Sequence, residues 1–312
     1  KFPRLDNLVY KPKAGDIAIF PSNYIYEHAS LPMQSGTKYC VVVMTDINES
    51  FHQEPTQRVT LGFQVLLALA TAGVTMSLFP VLSLLIPPQV TRLDPQNTAS
   101  SLALVLAVGA AGALIGNPLS GALSDRTTSR LGRRRPWLLV GMAGSTLGLI
   151  LLSQSRSITL MAVAWFMTQF FSNTLFVAYN AILPDHVPVH QRGTTQSIVG
   201  ITAPAAMLLG NFLVTQVDDL RLAYATILIV LVTFTSLFVI LYREAQLPRG
   251  VIPPFRLSAF VASFWVNPRQ NPRFTNTWVM WFVLWCAYYL GTGGFFFLYV
   301  QNITGYTSLF PG

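Results

Sequence analysis

The chain is predicted to be mainly an all-α membrane protein with about seven transmembrane helices, preceded by a short β segment. Its composition is the first reason: 52% of the 312 residues are hydrophobic and only 10% are charged, whereas soluble domains carry about a quarter charged residues. The second reason is a series of apolar runs of membrane-crossing length that starts at Leu61. The third is the concentration of arginine in the loops between these runs.

Seven apolar runs are each about long enough to cross ~30 Å of hydrocarbon as a helix. They lie near residues 61–86, 100–120, 137–153, 158–181, 196–216, 222–242 and 275–300. The second run is dense in Ala and Gly, which suits close helix packing in lipid. Prolines in or at the ends of the runs are tolerated in membrane helices and predict kinks.

The arginine distribution predicts an orientation. Residues 61–312 hold fourteen basic residues, all of them Arg, and six acidic ones. With the N-terminus inside, the cytoplasmic loops hold eleven of these arginines and the opposite loops three. Basic residues are retained on the inner side, so we expect an integral protein of a bacterial inner (plasma) membrane with a cytoplasmic N-terminus. The lipid bilayer is then the expected partner. Nucleic acid is not, because no basic face with interleaved aromatic residues recurs.

The most basic loop runs from Gly121 to Trp137 and connects the second and third spans. It contains Asp125-Arg126, followed by the run 132–136, Gly-Arg-Arg-Arg-Pro. A carboxylate near the start of a neighbouring helix is stabilised by the positive end of that helix dipole. Either these charges form a gate between helix ends, or the arginines only anchor the topology.

This loop resembles the one between helices two and three of major facilitator superfamily transporters. The longer form found here, with the insertion 127–131, is most similar to the glycoside–pentoside–hexuronide and sucrose symporter branch. The resemblance implies that the chain holds the six-helix N-terminal half and helix seven of a transporter that usually has twelve helices. It also implies that such a transporter moves a small polar solute, a sugar or glycoside, by alternating access. It implies gate residues at Gly121, Asp125, Arg126, Gly132, Arg133, Arg134, Arg135, Asp185 and Arg192. Asp185, in a second loop that resembles the family, is the expected partner of Arg126.

Polar side chains are scarce within the spans and are therefore informative. The candidates for solute binding are the amides Gln169, Asn173, Asn180 and Asn211. The first three share one face of the fourth span. The alternative is that these amides only join helices. No Asp, Glu, Lys or His lies well inside a span, so the residues do not support the coupling cation that the symporter branch suggests. No cofactor is expected for this part.

Residues 1–50 carry turn signals and short β-branched runs, which predict strands. The run 15–22, Gly-Asp-Ile-Ala-Ile-Phe-Pro-Ser, followed by His28 and Lys38, resembles the C-terminal end of a prolyl-4-hydroxylase-like 2-oxoglutarate/Fe(II) oxygenase. The resemblance implies a truncated double-stranded β-helix in which His28 binds Fe(II) and Lys38 binds 2-oxoglutarate. The first two metal ligands would precede Lys1, so this segment is expected to be inactive and the chain is not expected to be an enzyme.

The predicted organisation has five parts: a truncated oxygenase-like segment 1–50, a linker 51–59, a six-helix bundle 60–242, a basic cytoplasmic connector 243–273, and a seventh helix with a truncated end, 274–312. Three interpretations remain open. The chain is a transporter fragment; it is a dioxygenase whose function lies in the N-terminal segment; or it joins two unrelated genes. The change from Lys to Arg near residue 60 favours the last.

Overall fold

The computed structural model describes Pro55, residues 57–242, Glu244, Pro268, Arg269, residues 271–292, Tyr299 and Ile303. The predicted β segment with His28 and Lys38 lies outside these residues, as does most of the connector. The interpretation of residues 1–50 as an oxygenase segment that binds Fe(II) and 2-oxoglutarate therefore stays a prediction. Within the described ranges the structure holds helices and no β-strand.

Seven helices follow one another along the described chain. They are α1 (Leu61–Leu93), α2 (Thr98–Asp125), α3 (Arg135–Ser153), α4 (Ile158–His186), α5 (Val189–Thr215), α6 (Leu220–Leu241) and α7 (Pro272–Thr292). The first six are long and apolar enough to cross a membrane. This confirms the all-α membrane fold. The crossing predicted for residues 275–300 stays a prediction, since only its helical first part is described.

Short polar residues cap the N-termini of several helices. The hydroxyl of Thr60 accepts the backbone N–H of Phe63 at 3.2 Å at the start of α1, and Asp219 accepts the N–H of Leu222 at 2.9 Å at the start of α6. Each such cap satisfies one of the N–H groups that the first turn of a helix leaves without a partner.

Helix α1 contains one irregular turn. Its residues Val81–Leu85 are π-helical and lie between Pro80 and the pair 87–88, both proline. Proline donates no backbone hydrogen bond, so the ladder shifts here: the N–H of Ile86 bonds to the carbonyl of Val81. A π turn is a local change of register in the helix, and the sequence predicted only a kink.

Helices α2 and α3 both pack on α4 through glycines. A Cβ added at Gly112 would lie 2.5 Å from the carbonyl oxygen of Phe166, and one added at Gly116 would lie 2.7 Å from that of Phe170. Helix α3 approaches α4 in the same way at Gly141 and Gly148. Small residues allow helix backbones to approach in lipid, which explains the Ala/Gly-rich sequence of α2.

Helix α1 is the most buried of the six spans, and α5 and α2 are the least buried. The core is built mainly from α1, α2, α3, α4 and α6, and Trp165, Tyr179, Tyr224 and Phe238 are almost completely buried in it. At one end of the bundle Gln89 joins three helices: its amide accepts the hydroxyl of Tyr224 at 2.8 Å and donates to the carbonyl of Leu152. The opposite end carries the loop between α2 and α3.

A candidate transport gate

The end of α2, the start of α3, the end of α4 and the end of α6 meet at one end of the bundle. We call this end the arginine face; it comprises residues 121–137, 183–192, Tyr242 and Glu244. The chain before α1 is held there too, because the backbone of Val59 exchanges two hydrogen bonds with the side chain of Gln191, at 2.8 and 3.2 Å. The predicted gate residues are therefore brought together on one surface.

Arg134 lies at the centre of the arginine face with only 1% of its side chain exposed. Its Nη2 is 2.6 Å from Oδ1 of Asp125 at the end of α2. Its Nε donates to Oδ2 of Asp185 near the end of α4 at 3.0 Å, and its Nη1 donates to Oγ of Ser124 at 2.6 Å. One guanidinium thus connects three helices, and its five donors in a rigid planar arrangement suit it to bind several acceptors at once.

Asp185 carries a second ion pair, at 2.5 Å between its Oδ2 and Nη2 of Arg133. Sequence analysis predicted Arg126 as its partner; the ion pairs found at Asp185 come from Arg133 and Arg134. Burial acts to lower the pKa of Arg134, but Asp185 and Asp125 outweigh it and raise that pKa above its ordinary value. The cluster stays charged, and breaking it leaves a buried charge without its partner.

A tight turn directs the two arginines inward. Gly132 has φ of +98°, a left-handed conformation that glycine adopts at little cost, and its N–H bonds to the carbonyl of Ser129 at 3.1 Å. The ring N–H of Trp137 donates to Oγ1 of Thr127 at 2.7 Å and fixes the other side of the loop. Gly132 therefore reverses the chain immediately before Arg133 and Arg134.

The remaining predicted gate arginines bind backbone carbonyls near the C-terminal ends of helices. Arg126 donates to Ala122 at 2.9 Å, Arg135 to Val239 at 2.6 Å, and Arg192 to Val187 at 2.9 Å and Pro184 at 3.2 Å. Cations are favourable at this end of a helix dipole. Gly121 lies on α2 in ordinary contact with Val177 of α4.

A profile of the Major Facilitator Superfamily matches residues 58–312. The chain belongs to the Major Facilitator Superfamily. Proton-associated sugar transporter A of Homo sapiens and of Mus musculus are each 61% identical to it over 41 residues, which is 13% of this chain and 6% of either relative. The chain therefore spans only a small part of the length of these curated relatives.

In this major facilitator superfamily chain, Glu244 is a member of the arginine face that sequence analysis missed. Its Oε2 accepts the backbone N–H of Arg134 at 2.6 Å. Burial raises the pKa of its carboxyl group, although the backbone N–H of Arg134 and the charge of Arg133 oppose that effect. The one available signal was that Glu244 is the only glutamate after residue 60.

An aromatic cluster lies next to the ion pairs of the arginine face, at the N-terminal end of α1. The hydroxyl of Tyr242 lies 3.1 Å from Nδ1 of His186, and the two rings meet edge to face with centroids 5.0 Å apart. Phe63, in the first turn of α1, packs against both rings and against Phe238. The start of α1 is thereby packed against the helix ends that carry the ion pairs.

The four candidate solute-binding amides occupy two helices. Asn173 donates to the carbonyl of Gln169 on its own helix at 2.7 Å, and both are partly buried. Asn180 is exposed. Asn211 of α5 accepts the hydroxyl of Ser83 of α1 at 3.3 Å, beside the π turn. Gln169 and Asn173 are thus joined within α4, whereas Asn211 joins α1 to α5.

Proposed function

We propose that the chain is part of a secondary transporter that moves a small polar solute, a sugar or a glycoside, across a lipid bilayer by alternating access. The observation that carries this proposal is the buried Arg134, which connects α2, α3 and α4 through Asp125, Ser124 and Asp185. A cluster that only anchored topology would not need to be buried and shared among three helix ends.

The arginine face acts as the cytoplasmic gate. The predicted orientation assigns eleven of the fourteen arginines after residue 60 to the inner loops, and six of these eleven lie in the arginine face. Basic loops are retained in the cytoplasm. In the state seen here the ion pairs hold the ends of α2, α3 and α4 together. Opening this face requires that Arg134 exchange its carboxylate partners for water or for other groups.

The exchange is energetically feasible because the cluster lies at the helix ends. Separating a buried pair costs about 3–5 kcal/mol where one charge is left uncompensated. Water that enters a widening gate rehydrates both charges and reduces this cost. The ion pairs thus favour the closed face without locking it permanently.

The amides of α4 and α5 supply the solute-binding groups. Gln169, Asn173, Asn180 and Asn211 present neutral donors and acceptors, which match hydroxyl groups and leave a charged solute without a counter-ion. The relatives that match 41 residues of this chain are sugar transporters by name, and this similarity supports the sugar class.

A coupling cation is a separate part of the proposal. In the six described spans the carboxylates are Asp125 and Asp185, both at helix ends and both bound to arginine. A proton or metal cation that binds this half of the transporter would compete with those arginines. Uptake measured with and without a proton or sodium gradient tests this point.

Uptake by the full-length chain in proteoliposomes tests the main proposal. We expect saturable uptake of a labelled hexose, disaccharide or glycoside, and a severe loss of uptake in Arg134→Gln. Arg130→Gln is the matched control, because Arg130 is an exposed arginine of the same loop, and it should retain uptake. Absence of uptake across all three solute classes would contradict the sugar assignment, and equal effects of the two substitutions would contradict the gate.

A further inference from the structure

Glu244 and Arg135 form reciprocal contacts between α3 and α6. The carboxylate of Glu244, three residues beyond the end of α6, accepts the N–H of Arg134 immediately before α3. The guanidinium of Arg135, the first residue of α3, donates to the carbonyl of Val239 in the last turn of α6 at 2.6 Å. We call these four residues the α3–α6 clasp.

Each contact of the clasp places a charge where a helix dipole favours it. A carboxylate is stabilised at the N-terminus of α3, and a guanidinium is stabilised at the C-terminus of α6. Both bonds are short and charge-assisted, and such bonds are roughly twice as strong as neutral ones. The clasp therefore holds the start of α3 and the end of α6 together.

The loop before α3 is shaped around Glu244. A Cβ added at Gly132 would lie 2.7 Å from Oε2 and 2.8 Å from Cβ of Glu244. Glycine at this position thus allows both the left-handed turn and the approach of the glutamate. The same contact fixes the main chain from which the Arg134 side chain extends to Asp125 and Asp185.

We propose that Glu244 is a positioning residue of the gate: it holds the backbone of Arg134 so that the guanidinium can reach Asp125 and Asp185 together. Glu244 follows the end of α6 by three residues, so a displacement of the end of α6 acts directly on the backbone of Arg134. This inference rests on the proposed gate. It adds a residue that acts through the main chain and makes none of the ion pairs.

Thiol labelling of the full-length chain tests the inference without knowledge of the solute. The reporter is Asn117→Cys in a chain with Cys40→Ser and Cys286→Ser. Asn117 is exposed on α2, eight residues and about 12 Å before Asp125. A membrane-impermeant maleimide is applied to each side of sealed vesicles in turn, and Arg134→Gln is expected to accelerate labelling from the side of the arginine face.

Removal of Glu244 should reproduce that effect and should depend on Arg134. We expect Glu244→Ala to accelerate labelling from the arginine face by about tenfold, the loss of one charge-assisted hydrogen bond. Glu244→Gln keeps an oxygen acceptor and should restore most of the slow labelling. In the Arg134→Gln background, Glu244→Ala should add less than about twofold, because Glu244 acts on the gate only through the guanidinium that this background lacks.

Asp219→Ala is the matched control, because it removes an acceptor as Glu244→Ala does. Asp219 also accepts a backbone N–H at a helix start, but at the opposite end of the bundle, so labelling from the arginine face should not change. If Arg134→Gln accelerates labelling and Glu244→Ala does not, the inference is wrong and the gate stands. Equal effects of Glu244→Ala with and without Arg134 also overturn it, since they indicate general loosening. If Arg134→Gln itself has no effect, the proposed gate is wrong.

Discussion

Arg134 and Asp185, 51 residues apart in the chain, meet through an Nε–Oδ2 hydrogen bond of 3.0 Å. This contact joins the start of α3 to the end of α4, and the second arm of the same guanidinium reaches Asp125 on α2. Arg134 therefore joins the ends of three helices, and the loop before α3 holds it in place.

Arg134 and Asp125 should be energetically coupled. Arg134→Gln leaves buried carboxylates without their main counter-ion, so we expect the free energy of unfolding to fall by about 3–5 kcal/mol. Asp125→Asn in the same chain should then cost much less than it does alone. A double-mutant cycle on thermal unfolding in detergent measures the coupling, expected at about 0.5–3 kcal/mol. If the two losses in unfolding free energy simply add, the interaction between Arg134 and Asp125 contributes nothing to stability.

Asp185→Asn should be more damaging than Asp125→Asn. Asp185 accepts both Arg133 and Arg134, whereas Asp125 pairs with Arg134. Asp185 is also the more buried of the two, with 11% of its side chain exposed against 18%. We expect a greater loss of thermal stability and of uptake in the Asp185 variant, by at least about 1 kcal/mol in stability. The reverse order would mean that the α2 contact dominates the gate.

Gly132→Ala should destabilise the arginine face by two mechanisms. The φ of +98° is costly for any residue with a Cβ, by about 1–3 kcal/mol, and the new methyl group would collide with Glu244. Gly193→Ala is the control, because a Cβ there meets nothing within 4 Å. Adding Glu244→Gly to the Gly132 variant removes both the carboxylate and the Cβ that the new methyl group would meet, so the double variant should be more stable than the sum of the two single losses predicts. If no stability is recovered, the whole destabilisation by Gly132→Ala comes from the left-handed backbone conformation and not from the collision.

Glu244 should impose a pH dependence on stability. Burial raises the pKa of its carboxyl group above the ordinary 4.5, so the folded chain holds this proton at a pH where the unfolded chain has released it. The stabilisation from this group is present below pH 4.5 and is lost as the pH rises through the raised pKa. The charged and titratable groups that act on this carboxyl are Arg133, Arg134, Asp185 and Tyr242.

Thermal unfolding of the parent chain and of Glu244→Gln, compared over about pH 4.5–7, measures this effect. The parent should lose stability relative to the variant as the pH rises, because glutamine cannot release the proton. Asp94→Asn is a useful counter-example. A hydrogen bond from Ser101 lowers the pKa of Asp94, so its contribution should be lost as the pH falls. A parent and Glu244 variant with parallel curves would contradict the assigned pKa direction.

The membrane helices were predictable because each is a local property of the sequence. Apolar runs separated by polar loops predicted all six helices that the structure shows to be of membrane-crossing length. The ends of these helices were harder to predict. The first apolar run was expected to end near residue 86, whereas α1 continues to Leu93. Helices extend beyond the hydrocarbon into polar sequence, where hydropathy no longer reports them.

The composition of the candidate gate was also visible in the sequence, but its pairing was not. Asp125, the arginines 133–135 and Asp185 stand out because charged residues are rare in this chain. Which carboxylate meets which guanidinium depends on the turn at Gly132 and on the rotation of α2 and α4 about their axes. Neither is encoded by spacing within a single loop.

The amino-acid sequence by itself determined the class of protein, the six described helices that could cross a membrane and the loop that carries the charges, because hydropathy and charge act over a few neighbouring residues. Only the tertiary structure decided that Arg133 and Arg134, and not Arg126, form ion pairs with Asp185, and that Glu244 supports the gate from the end of α6. These contacts join residues as many as 110 positions apart, so they exist only once the helices have packed.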